Sequence, residues 1–276
     1  METPVRRMEI LRAFRDGTCR PWTDELLEEV PLTLEVDGLE EAQVILTRGN
    51  EELWALGNLA CRRRILSRED VEDLSLEPGR VRVTRRTPRE GIPPLARRLH
   101  TAATRLVDPK DLEAARLGPL KVRWSLPFAS LEGVVAQLAE GPLFRKTGSV
   151  HVAVLVSTTT SRRFLVEDVG RHNAVDKAVG WALKEGLEPE DCFLAVSGRL
   201  PADMVYKAQG ARIPLLASVS AATAAGVDAA RRGGITLVGF AREGRMNVYA
   251  WPERIEGLTE PGAIGTPGTA PAAEGC

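Results

Sequence analysis

Residues 192–240 read CFLAVSGRLPADMVYKAQGARIPLLASVSAATAAGVDAARRGGITLVGF, and this stretch decides the fold. Three short runs in it, CFLAVS (192–197), IPLLASV (213–219) and ITLVGF (235–240), are apolar at nearly every position. A strand with one solvated face alternates, whereas one apolar throughout is buried on both faces. Between the runs lie a helix opening at Pro201 and an Ala-rich helix over about 221–231. Doubly buried strands alternating with helices mean an α/β sheet with helices packed on it. Working outward, VHVAVLV (150–156), RRFLVED (162–168) and MNVYA (246–250) read as further strands, and 173–184 as a helix. The expected class is α/β, a mixed sheet with flanking helices.

Toward the N-terminus the pattern changes. VPLTLEVD (30–37) alternates apolar and polar residues in the manner of a half-buried strand, AQVILTRG (42–49) repeats the signal, and 71–84 reads as a strand pair. Asn50 precedes EELWALGNLACRRRIL, where two glutamates in the first turn and Leu53, Leu56 and Leu59 at helical spacing predict a short amphipathic helix. Ser130 is expected to cap a helix running to Ala139, closed by Gly141-Pro142. Four regions result: a loosely ordered arm (1–25), a smaller, mainly β N-terminal region with a basic segment (26–125), an α/β core (126–257), and a Gly/Pro/Ala/Thr tail (258–276) too poor in apolar side chains to order itself.

The charge balance excludes several classes. Across 276 residues, 37 Lys and Arg nearly cancel 38 Asp and Glu, so the chain as a whole is not built to coat nucleic acid or an anionic membrane. The positive charge is local: 80–123 holds twelve Lys and Arg against four acids. No run of eighteen apolar residues exists, and METPVRRMEI lacks the apolar segment of a secretory signal, so a cytoplasmic protein is expected. The four cysteines, Cys19, Cys61, Cys192 and Cys276, lie far apart with no Cys-x-x-Cys, which argues against a disulfide framework and a four-thiolate zinc site.

The phosphate-binding loops that an α/β sheet invites are absent. There is no Gly-x-Gly-x-x-Gly after a strand, no Gly-x4-Gly-Lys-Ser/Thr and no Gly-x-Ser-x-Gly elbow. Ser197-Gly198-Arg199, at the end of CFLAVS, would put a hydroxyl and a guanidinium where ligands of open α/β sheets gather, or be merely a turn into a helix. His151 heads a strand as the His-x-Glu of zinc deaminases does, but Ala153 replaces the glutamate and no Pro-Cys-x-x-Cys follows, so zinc is not expected. The stretch 167–177, EDVGRHNAVDK, crowds Asp168, Arg171 and His172 around a helix start that favours anions, more polar groups than capping by Asn173 requires. Phe240, Ala241, Arg242, Glu243, Gly244 and Arg245 form a glycine-bearing connection whose arginines could grip a pyrophosphate or simply be solvated on a hairpin turn.

EVPLTLEVDG (29–38), GNEELWALGNL (49–59), TGSVHVAVL (147–155), EDVGRHNAVDKAVG (167–180), SGRLPADMVYKA (197–208), IPLLASVSAATAAGVDAA (213–230) and GITLVGFAREGRMNVYA (234–250), in this order, resemble the FdhD family of formate dehydrogenase accessory sulfurtransferases. The resemblance implies a cytidine-deaminase-like core without its zinc, a cytoplasmic homodimer, and a role in passing sulfur from a cysteine desulfurase to the molybdenum or tungsten bis-pterin guanine dinucleotide cofactor before formate dehydrogenase, or a related molybdoenzyme, receives it. It makes 240–245 the cofactor-contacting stretch, with Ser197, Gly198 and Arg199 as neighbours, and implies that guanine nucleotides such as GDP bind. One departure stands out. The family's sulfur-handling Cys-x-x-Cys falls here on LHTAATRLVD (99–108), where Thr101 and Thr104 stand in place of the thiols. A hydroxyl cannot hold a persulfide. Two functions follow as expectations: sulfur transfer through another cysteine, Cys276 or Cys61, or a non-catalytic cofactor-binding or chaperone protein, which the cysteine inventory favours.

Overall fold

The computed structural model describes residues 4–86, 99–100, 118–121 and 124–258. Thr101, Thr104, most of the basic segment and the tail lie outside the described residues.

The expected strands of the C-terminal half form one six-stranded sheet. In chain order they are β8 (His151–Ser157), β9 (Arg163–Asp168), β10 (Cys192–Val196), β11 (Leu215–Ser218), β12 (Thr236–Arg242) and β13 (Arg245–Ala250), arranged β13-β12-β11-β10-β8-β9. β10, β11 and β12 run parallel; β8, β9 and β13 are antiparallel to their neighbours. Both faces are buried: Ala153 and Leu155 of β8 join one core cluster, Val152 and Val154 the other. On the first face lie α4 (Arg171–Lys184), α5 (Ala202–Gly210) and α6 (Ala224–Gly233); the second is covered by α2 (Phe128–Ala136) and the 3₁₀ turn after it. Ser130 is not a cap: α2 begins after Pro127, and Pro142 opens the next helix, α3 (Pro142–Thr147). Proline is at home in a first turn, where its missing N–H costs nothing.

A second sheet, ordered β5-β6-β3-β4-β7, contains β3 (Glu29–Val36), β4 (Leu39–Thr47), β5 (Val71–Glu77), β6 (Arg80–Arg85) and β7 (Leu99–His100). Between the two layers runs α1 (Glu51–Cys61), buried at every position from Leu53 to Cys61 instead of presenting the polar face its leucine spacing suggested. Asn50 adopts a left-handed conformation and makes no side-chain cap. α1 crosses α4 with their backbones in near contact, because Gly57 and Gly180 face each other there: a Cβ on Gly57 would land on the Asp176 carbonyl, and one on Gly180 on that of Leu53. One core therefore runs continuously from the small sheet through α1 to the large sheet, across the expected boundary at 125.

The arm expected to be loosely ordered is an antiparallel ribbon, β1 (Val5–Ala13) paired with β2 (Cys19–Leu27). Its cross-strand contacts are polar or cationic: Arg7 with Glu25, Thr23 with Glu9, and the Arg12 guanidinium 3.6 Å from the Trp22 ring centroid. A ribbon held this way needs no apolar alternation, which is why its sequence gave no period.

Candidate functional site

A concavity opens at the carboxyl ends of the parallel strands, where open α/β sheets hold ligands. It encloses about 680 Å³, within the usual range of roughly 300–1,000 Å³ for small-molecule sites. Ser197 after β10, Val219 after β11 and Ala241, Arg242 and Glu243 at the end of β12 form one side. Helix α2, with Ala129, Glu132 and Gly133, and Phe144 of α3 form the other. Two sequence motifs forty residues apart thus meet in one cavity. The α2 wall was not foreseen; FASLEGVVA carries only Ser130 and Glu132 as polar residues and no motif.

The 240–245 connection is a two-residue hairpin turn, with Glu243 (φ 57) and Gly244 (φ 74) both left-handed and Arg242 opposite Arg245. Like charges directly across a strand pair repel. Phe240 is also left-handed (φ 50), at a bulge between Gly239 and Arg242, and its N–H donates to the Ser220 carbonyl at 3.0 Å. A Cβ at Gly239 would sit 2.9 Å from that carbonyl, so the bulge requires glycine there. The Gly244 N–H donates to Glu132 Oε1 at 2.8 Å, tying the hairpin tip to α2. Arg242, Glu243, Gly244 and Arg245 are exposed, Ala241 is buried and Phe240 half-buried.

Ser197 links this cavity to a second polar cluster. Its Oγ accepts from the Val152 N–H at 3.0 Å and lies 3.4 Å from His151 Nδ1. A Cβ on Gly198 would come within 3.3 Å of Arg171 and 3.6 Å of His151, so the turn lies directly against both side chains. Arg199 points into solvent. Beside them, His172 Nε2 stands 3.1 Å from Asp203 Oδ2 and an Arg171 amino group 3.8 Å from the same oxygen. Burial pushes the His172 pKa down despite that carboxylate, so the neutral ring donates to Asp203. Burial would raise the Asp203 pKa, but the His172 hydrogen bond and the Arg171 charge hold it below the usual carboxylate range. His151 is lowered by burial and by Arg171. The buried Nε of Arg171 and Nδ1 of His172 have no hydrogen-bond partner among the described residues. Asp203 was missed by sequence reading, although it stands in the first turn of the helix expected at Pro201.

The rest of the 167–177 cluster is structural. Asp168, expected to touch a ligand, is fully buried; its oxygens accept from the N–H groups of Thr47 and Gly170 and from Asn173 Nδ2, and pair with Lys177 Nζ at 2.7 Å. Glu167 accepts from the Leu143 and Phe144 N–H groups, supplying the first turn of α3. Asn173 is no cap, since α4 starts after Gly170; its amide bonds the Ile45 carbonyl, Asp168 and Trp54 Nε1. Asp176 pairs with Lys207 at 2.5 Å. These residues join the two layers, leaving Arg171 against the Ser197-Gly198 turn and both Arg171 and His172 beside Asp203.

Two of the thiols lie where ionisation is opposed. Burial, reinforced by the neighbouring Asp176 carboxylate, raises the Cys61 pKa well above its ordinary value, and burial pushes Cys192 up to about 12. Neither forms a thiolate at neutral pH, which removes Cys61 from the expected carriers. Cys19 is exposed on β2, and Cys276 lies outside the described residues.

The model of the FdhD/NarQ family matches residues 27–256. A sulfur carrier protein FdhD from Anaeromyxobacter dehalogenans is 37% identical over 269 residues, covering 86% of this chain and 90% of its own length. A protein of the same name from Nocardia farcinica is 33% identical, covering 92% and 95%. Among solved structures, a Desulfotalea psychrophila protein assigned as a formate dehydrogenase accessory protein superposes with a TM-score of 0.76 at 25% identity, over 92% of this chain and all of that one.

Proposed function

The chain belongs to the FdhD/NarQ family of sulfur carrier and formate dehydrogenase accessory proteins, and we propose that it binds the guanine-dinucleotide molybdenum or tungsten cofactor of a formate dehydrogenase without carrying sulfur on a cysteine pair. The observation that carries this reading is the cavity joining Ser197 to Ala241–Glu243. Its walls of Ala129, Gly133 and Val219 suit the faces of a purine, and Arg242 on the cavity wall, with Arg245 opposite it across the hairpin, suits a diphosphate. The volume accommodates one nucleotide end, so the pterin and metal of the cargo would extend beyond it. Arg171, its Nε unsatisfied, stands ready on the far side of Ser197.

The relatives' name says that they carry sulfur. Here the chain has no cysteine between Cys61 and Cys192, and neither of those forms a thiolate. The reading is therefore a cytoplasmic cofactor-holding protein with a formate dehydrogenase or related molybdoenzyme as partner. A second reading keeps sulfur transfer from a cysteine desulfurase through a relocated thiol, and the exposure of Cys19 favours it.

Calorimetry with GDP tests the first reading. The purified protein should bind it, and Arg242→Ala with Arg245→Ala should weaken binding by roughly 1.5–3 kcal/mol for each charge-assisted bond lost; equal affinity in the double variant removes the cavity from the proposal. Incubation with a cysteine desulfurase and cysteine should add no sulfur by intact mass. Rapid stoichiometric labelling that Cys19→Ser abolishes would establish the second reading instead.

A further inference from the structure

A second cleft lies at the opposite end of β10. Residues 188–190 precede that strand and Ser197 follows it, and the cleft, about 180 Å³, is lined by Arg63, Leu183, Glu188, Glu190, Gly210 and Arg212. Three helices end around it in the same way. Helix α1 closes with Arg63 N–H to the Ala60 carbonyl (2.9 Å) and Arg64 N–H to that of Leu59 (2.8 Å). Helix α4 closes with Gly186 to Leu183 (3.1 Å) and Leu187 to Ala182 (2.9 Å), and α5 with Arg212 to Gln209 (3.0 Å) and Ile213 to Ala208 (2.9 Å). This paired closure forces one residue per helix into left-handed backbone, where a Cβ is crowded and glycine is favoured. Helix α4 uses Gly186 (φ 66), but α1 and α5 use Arg63 (φ 59) and Arg212 (φ 63). Two arginines thus occupy positions that cost least with glycine, and both reach one cleft.

Attraction of cations to helix C-termini accounts for positive charge near each end. It does not account for how the charges are balanced. Arg212 pairs with Glu190. The part-buried Arg63 guanidinium makes no hydrogen bond or ion pair among the described residues, and burial followed by the like charge of Arg212 lowers its pKa. Glu188 also lines the cleft, but its charge bears on Cys192, not on Arg63. One guanidinium fork, whose planar donors match carboxylate and phosphate oxygens, is left without a partner among the described residues.

We propose that the cleft between Arg63 and Arg212 binds a compact oxyanion of the size of inorganic phosphate, separately from the cofactor cavity. Titration with inorganic phosphate, followed by calorimetry and by thermal melting against sodium chloride of equal ionic strength, tests it. The wild-type protein should bind phosphate and gain melting temperature beyond the chloride control. Arg63→Gly should weaken phosphate binding at least tenfold while melting, without phosphate, at the same temperature or higher, because glycine fits the left-handed position. The Arg242→Ala, Arg245→Ala variant should keep the full phosphate effect. No gain over chloride in the wild type overturns the proposal. So does an effect that survives Arg63→Gly but vanishes in the Arg242/Arg245 variant, which would put the phosphate in the cavity instead.

Discussion

The layer between α1 and α4 and the rim of the cavity are both polar, and they are built in opposite ways. Between the helices, Asp168, Lys177, Asp176, Lys207, Asn58 and Asn173 are buried and bonded to one another or to backbone groups of the small sheet. At the rim, Arg242 and Arg245 oppose each other in solvent and Phe240 and Glu243 sit in left-handed backbone, and beyond Ser197 Arg171 and His172 keep nitrogens with no partner among the described residues. A satisfied network has nothing left to offer a ligand. A site leaves donors free and accepts strain in doing so. Motif density alone does not separate the two, since EDVGRHNAVDK contributes to both.

The largest effect should come from breaking the satisfied network. Asp168→Ala leaves Lys177 charged, enclosed and with only the Thr47 carbonyl for a partner, and loss of one member of a buried pair costs about 3–5 kcal/mol. Chemical denaturation should show that loss. Arg171→Ala, three residues along the same motif, should leave stability within about 0.5 kcal/mol and reduce GDP binding. If both variants lose stability alike, the division of the motif into a structural and a ligand-facing half fails.

A smaller loss should follow from closing the helix crossing. Gly180→Ala drives a methyl into the Leu53 carbonyl, and neither backbone can yield without moving a layer. Overpacking of this kind costs about 1–3 kcal/mol. Gly133→Ala, on the cavity-side helix α2 with open space around it, should cost nothing and be favoured by helix propensity. Denaturation midpoints of the two variants compare a crossing with a cavity wall directly.

The fold was largely legible because strands buried on both faces are apolar throughout, a signal no surface element imitates. The small sheet was legible from alternation. What escaped depended on contacts between segments far apart in the chain. The polar side of α1 is covered by Asp176 and Lys207, more than a hundred residues away, so a helix that reads as amphipathic is enclosed. The β1–β2 ribbon hides because charged and cation–aromatic pairs replace apolar ones. Within the candidate site, 240–245 and Ser197 could be proposed from turn chemistry at strand ends. Asp168 was misassigned because burial cannot be read from a carboxylate's sequence neighbours, and the α2 wall, mostly small or apolar residues with Glu132 among them, carries no motif.

The smallest effect distinguishes the two regions by pH. The folded protein lowers the His172 pKa by burial, so the unfolded chain takes up a proton at this position more readily than the native one. Stability rises with pH wherever the unfolded state binds more protons; this contribution is therefore intact above the ordinary histidine pKa of 6.5 and declines as the pH falls below it, until the lowered native pKa is reached. His151 acts in the same direction but is half-exposed. Denaturation at a series of pH values from 7.5 down to 5 should show the wild type losing stability, and His172→Gln, which cannot take the proton, losing less. His151→Gln should flatten the profile less than His172→Gln does. A His172→Gln profile parallel to the wild type would mean that folding leaves the proton affinity of the ring unchanged; a wild type that instead gains stability over His172→Gln as the pH falls would mean that the ring is held protonated on Asp203, a satisfied ion pair like those between α1 and α4.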